Sequence, residues 1–164
     1  MSNAFAIREL LFEELYLAVR TTIKLITKVK AEHWEYRPGE NMRSLKELAN
    51  HLVQIPYVDL AIMQEKNSDT VDKLQNTDLF TTDPQEMIKI MEQGFMALQD
   101  YIVSFTENDL LQKHTKAFYS GEDSNGYSQA KWLVEITTHA FHHRGQLFNY
   151  LKQLGYQVNM FDLY

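Results

Sequence analysis

The chain contains no cysteine, and only three prolines and six glycines are spread over its 164 residues. Without thiols there is no disulfide, no thiolate metal ligand and no cysteine nucleophile. The few prolines and glycines fall mostly between apolar segments, which leaves long stretches free to be helical. No run of eighteen or more apolar residues occurs, so no membrane-spanning helix is expected. Cations are outnumbered, sixteen lysines and arginines against twenty-two acidic residues, for a net charge of −6. That balance argues against a nucleic-acid surface, because phosphate binding draws on clustered Lys and Arg. The first residues mix Arg8, Glu9, Glu13 and Glu14 with apolar ones, which is a poor signal-peptide pattern. A cytoplasmic location and one domain over residues 1–164 are the expectations.

What is present is helical periodicity. Four amphipathic segments stand out, and nothing alternates with the period of two that strands need. Residues 5–30 form the first, with Leu11, Leu15, Val19 and Ile26 among its apolar positions. The second opens at "SLKE", where Ser44 and Glu47 make a capping box, and runs to about Gln64 through Pro56, which should bend it locally. The third opens at "TDPQE", with Asp83 as N-cap and Pro84 at the first helical position. Its stripe of Met87, Met91, Phe95, Leu98, Ile102 and Phe105 has the spacing of a bundle seam. The fourth begins after Ser128 and ends near Gly155, suited to a left-handed C-cap. The reading is an all-α four-helix bundle with longer connections at about 65–82 and 106–127.

Half of the six histidines lie within "HAFHH" at 139–143. Successive helical residues are about 100° apart, so the inward-facing ones can be picked out. Trp132, Ile136, His139, Leu147, Tyr150 and Leu154 all fall within about 40° of His143, whereas His142 lies about 100° away on the polar flank. On the second helix, Leu48, Ile55, Val58 and Ile62 fall within about 60° of His51. Three imidazoles therefore project into one interior, where neutral rings need partners. A divalent metal supplies them. Histidines at i and i+4 can share one ion, a third from a facing helix completes the set, and the fourth position stays open, as in catalytic sites.

Flanking residues have roles to test. Glu135 and Gln146 lie about 80° and 60° from His143 on the His139 side, where either could orient a ligand imidazole or a metal-bound water, line the pocket, or simply belong to the polar flank. Arg144, about 100° off the stripe, is placed either to meet an anionic substrate or to be solvated. Val134, Phe141 and Phe148 form an apolar strip opposite the core, expected to pack against a second subunit in a homodimer. A di-iron carboxylate centre would need two Glu-x-x-His motifs, and the sequence has none. A haem site lacks an attachment motif and would leave one inward histidine idle.

Three stretches resemble the DinB-like superfamily of damage-inducible proteins, which are metal-binding four-helix bundles. "WEYRPGENMRSLKELANHLVQ" at 34–54 is similar to its Trp-x-x-Arg-Pro turn and first histidine helix, and "HAFHHRGQL" at 139–147 to its His-x-x-x-His-Arg-Gly-Gln signature, approached through "GYSQAKWLVEITTHA". The resemblance implies that His51, His139 and His143 bind zinc or nickel in an up-down-down-up bundle, often dimeric. It implies a thiol S-transferase that activates a low-molecular-weight thiol of the bacillithiol or mycothiol kind as co-substrate. A hydrolase using activated water is a variant. The rival is a non-catalytic stress-response protein that binds a metal or small ligand. The expected partner is a small-molecule substrate, without nucleic acid or membrane.

Overall fold

Ser44 begins its helix as the spacing predicts. Its hydroxyl accepts the Glu47 amide at 3.2 Å while the Glu47 carboxylate accepts the Ser44 amide at 2.7 Å. A computed structural model describes residues 3–164; Met1 and Ser2 lie outside the described residues. Four long helices carry the fold: α1 (Asn3–Ile26), α2 (Leu45–Met63), α4 (Pro84–Val103) and α6 (Gln129–Gln153). Two short ones, α3 (Ser68–Leu74) and α5 (Glu107–Gln112), lie in the longer connections. No helix among the described residues is long and apolar enough to cross a membrane.

The remaining ends also follow local chemistry. Asp83 accepts the Gln85 amide ahead of Pro84, and Ser128 accepts the Lys131 amide at the start of α6. Gly155, at φ +80°, closes α6 as the amides of Gly155 and Tyr156 return to the carbonyls of Lys152 and Leu151. This is the Schellman arrangement, which uses the last carbonyls of a helix. The first helix departs from expectation and stops at Ile26 rather than Lys30. There Lys28 and Val29 bond back three residues, so the last turn tightens and leads into a 3-10 turn at Ala31–His33. Helix α2 continues through Pro56 unbroken.

Around the core, α1 and α2 each pack against both α4 and α6. Asn50 bonds Thr81 ahead of α4, and Pro56 and Tyr57 meet Gly94 further along, so α2 and α4 run in the same sense. A Cβ at Gly94 would stand 3.0 Å from the Tyr57 amide nitrogen, which is why the seam carries glycine there. Against α6 the sense of α2 reverses: Arg43 receives the Tyr150 hydroxyl, while Asp59 meets His139. Leu15, Leu48, Leu52, Met87, Met91, Leu98, Ile136 and Leu147 are fully buried. Phe95 and Phe105, assigned to the seam by spacing, pack only partly buried at its edge.

Among the described residues the expectation of no strands holds except for one small ribbon. The pair β1 (His114–Thr115) and β2 (Tyr127–Ser128) is antiparallel, with His114 opposite Ser128 and Thr115 opposite Tyr127. Two-residue strands show no alternation in sequence. Thr115 anchors the ribbon, because its hydroxyl meets the Trp132 indole nitrogen at 2.9 Å and the Gln129 amide at 3.1 Å. The segment between the strands is thereby fixed over the His139 side of α2 and α6.

Candidate metal centre

The three inward histidines of the helical-wheel reading meet. His51 projects from α2, and His139 and His143 from α6, one turn apart. The Nε2 of His51 is 3.3 Å from that of His139 and 3.1 Å from that of His143. One ligand atom from each of the three lies within 4.8 Å of the others, a group that could hold a metal ion. Two imidazole nitrogens bound to one tetrahedral zinc stand roughly 3.3 Å apart, so the spacing fits.

The opposite ring nitrogens decide what the Nε2 atoms can offer. His139 donates from Nδ1 to the Asp59 carboxylate at 2.8 Å, and His143 from Nδ1 to the Gln146 side-chain oxygen at 2.7 Å. Each neutral ring carries one N–H, so both Nε2 atoms are left as lone pairs. Only His51 can bring a proton to the centre, and it can satisfy only one neighbour. Three converging nitrogens with at most one shared proton are a donor set that suits a cation. Burial pushes the His51 imidazole down to about 3, helped by Arg43, His143 and His139. Burial likewise lowers His143 to about 4 against the opposing Gln146 hydrogen bond. Both rings are therefore neutral and available as ligands at neutral pH.

The flanking residues divide. Gln146 takes the orienting position that spacing allowed it. Among the described residues Glu135 makes no hydrogen bond to a histidine; it pairs with Lys131 one turn back and lines the adjoining cavity. Asp59 was not singled out in sequence, although it lies two turns beyond His51 and about 80° round the helix. An acidic residue at the edge of an apolar face looks like ordinary flank until its partner on another helix is known.

Arg144 corrects both expectations for it. It neither faces the pocket nor points to solvent, because 100° off the stripe is the seam with α1. It is 5% exposed, donates to the Thr21 hydroxyl and the Leu163 carbonyl, and lies 4.3 Å from the centre of the Phe141 ring. Its work is to tie α6 to α1 and to the C-terminal segment. His142 is exposed on the polar flank, as expected. His33 bonds the Tyr156 hydroxyl and His114 the Gln112 carbonyl, both away from the centre.

A cavity of about 400 Å³ opens beside His139. Asp59 and Glu135 stand in it with His139, and its walls include Phe118, Tyr119, Tyr127 and Trp132. The connection over 106–127 thus supplies much of the wall. Glu65 holds that wall from below: at φ +60° it ends α2 and accepts the Lys116 amide at 2.9 Å.

Fold and site together define a helical bundle with a three-histidine centre, and comparison with known proteins places it. The sequence model of the DinB family matches residues 1–164, and the chain belongs to that family. It is 24% identical over 136 residues to the uncharacterised protein YjoA of Bacillus subtilis (strain 168), covering 82% of each chain. Among solved structures it is similar to a DinB-family chain from Exiguobacterium sibiricum 255-15, with a TM-score of 0.76 and 28% identity over 100% of this chain and 99% of that one. A DinB-like protein from Bacillus cereus ATCC 10987 shares the fold at a TM-score of 0.70 and 17% identity, over 91% and 93% of the two chains.

Proposed function

We propose that the chain is a divalent-metal-dependent enzyme, a thiol S-transferase in which His51, His139 and His143 hold zinc or nickel. The observation that carries this reading is the donor set: three Nε2 atoms converge while the Nδ1 atoms of His139 and His143 are already committed. When bound there, the ion supplies Lewis acidity, which lowers the pKa of a thiol, or of water in the hydrolytic variant, at the position that three protein ligands leave open. The chain's own residues do the rest. Asp59 and Gln146 keep two imidazoles in the tautomer and orientation that present Nε2. Burial keeps His51 and His143 unprotonated. The cavity beside His139 gives a second substrate a place next to the activated thiol, so that the two react as a held pair.

The test is turnover. Protein loaded with zinc or nickel is supplied with low-molecular-weight thiols and electrophilic acceptors, and the loss of free thiol is followed. The expected result is metal-dependent consumption that disappears with a chelator and in His143→Ala. Stoichiometric metal binding without turnover of any pair would favour the rival, a stress-response protein that binds a metal or small ligand.

A further inference from the structure

The cavity beside His139 has a one-sided lining. Its charged side chains other than histidine are Asp59 and Glu135, and among the described residues no lysine or arginine lines it. The remaining wall is rich in aromatic rings. Phe118 and Tyr119 stand edge to face at 5.1 Å between centroids, and Tyr127 and Trp132 do the same at 5.1 Å. Three of these rings are unusually open for aromatics, at 45% for Phe118, 67% for Tyr119 and 42% for Tyr127. Carboxylates and aromatic faces lining one cavity are the two features that attract an organic cation. A ligand carboxylate would meet the like charge of Asp59 there and find no arginine among the described lining residues to pair with, while Glu135 is already paired with Lys131.

The rim already shows the interaction. The Lys131 ammonium lies 5.3 Å from the centre of the Tyr127 ring and pairs with Glu135, so a cation rests between an aromatic face and a carboxylate. Lys131 does not itself line the cavity, whereas Asp59 and the other rings do. The cavity wall is also fixed in place, through the ribbon, the Trp132 to Thr115 bond and the Glu65 to Lys116 bond. The recognition surface is therefore built before a ligand arrives, which reduces the ordering cost of binding.

We propose that this cavity seats a ligand bearing an ammonium group on an aromatic or apolar frame, and that it discriminates against the corresponding carboxylate. For the enzyme proposed above, this makes the second substrate an organic cation. The inference rests on that reading only for the word substrate; the lining stands without a metal.

Matched probes test it by calorimetry: 2-naphthylmethylamine, cationic at neutral pH, against 2-naphthoate. Zinc-loaded protein and the His51→Ala variant are both titrated. His51 does not line the cavity, so the variant removes the metal centre and leaves the lining intact. The expected result is at least tenfold tighter binding of the amine by His51→Ala, and a smaller preference in zinc-loaded protein, where the open metal position offers naphthoate a ligand site. Glu135→Gln, which removes a carboxylate and releases Lys131, should cut the preference several-fold, and Tyr119→Ala should weaken the amine. Amine binding that persists in His51→Ala, when zinc-loaded wild-type protein shows no turnover, would uphold this inference while the enzymatic reading fails. Naphthoate binding to His51→Ala as tightly as the amine, or no binding of either probe, would overturn it.

Discussion

His139 and Asp59, eighty residues apart in sequence, meet across the seam of α6 and α2 with Nδ1 and the carboxylate oxygen 2.8 Å apart. The bond fixes the imidazole's tautomer and turns its free nitrogen toward His51. A carboxylate behind a ligand histidine also holds the ring in place for the metal.

Asp59→Ala should therefore weaken zinc binding about 10–100-fold while leaving the three ligands in place. Competition against a chelator of known affinity measures this. Gln146→Ala should act in the same direction through His143. Unchanged affinity in both variants would mean that these contacts do not position the ligands.

The metal-free chain should lose stability in mild acid. Unfolded imidazoles take up protons below about pH 6.5, whereas folded His51 and His143 do so only near 3 and 4. Between those limits the unfolded state binds more protons, so stability is full above about pH 6.5 and falls as pH drops toward 4. Asp162, held down to about 2 chiefly by its hydrogen bond from Lys28, adds its loss only below about pH 4. Urea midpoints of chelator-treated protein should be lower at about pH 4.5 than at pH 7.5. The drop should shrink in the His51→Leu, His143→Leu double variant. A midpoint indifferent to pH across that window would contradict the burial of neutral rings.

Two glycines between the strands of the ribbon should respond very differently to alanine. Gly126 has φ +69°, and a Cβ there would stand 2.3 Å from the Thr115 carbonyl oxygen. Gly126→Ala should cost roughly 1–3 kcal/mol, because the ribbon must shift and the backbone is strained. At Gly121 a Cβ meets nothing within 4 Å, and alanine should be nearly neutral. Denaturant midpoints of the pair decide.

The strip of Val134, Phe141 and Phe148 remains only partly buried along α6. Val134 and Phe141 border a shallow hollow with Leu11, and Ile7 and Leu10 of α1 are 57% and 60% exposed nearby in sequence. A second copy covering this face is the expected state. Sedimentation should give a species about twice the 19.3 kDa chain mass, and Val134→Lys should shift it toward monomer. A monomeric wild-type protein would remove the proposed interface.

Much of this was legible in sequence because the signals were local or periodic. Ser44, Asp83, Ser128 and Gly155 act within one turn of themselves, so their caps could be read directly. The histidine trio followed from wheel geometry, since a bundle core admits few polar side chains and their direction is fixed by the helix. Asp59 and Arg144 were not legible: each looks like flank on its own helix and gains its role from a partner on another. Helices α3 and α5, of seven and six residues, are too short to display a period. The ribbon is shorter still, so the wall of the cavity could be seen only once the chain was folded.

The most direct test is metal content. Protein purified without a nickel column should carry about one equivalent of zinc or nickel per chain by elemental mass spectrometry. His51→Ala and His143→Ala, shown folded by circular dichroism, should carry almost none. A wild-type chain that is isolated metal-free and takes up no added zinc would contradict the account, as would full occupancy in both variants.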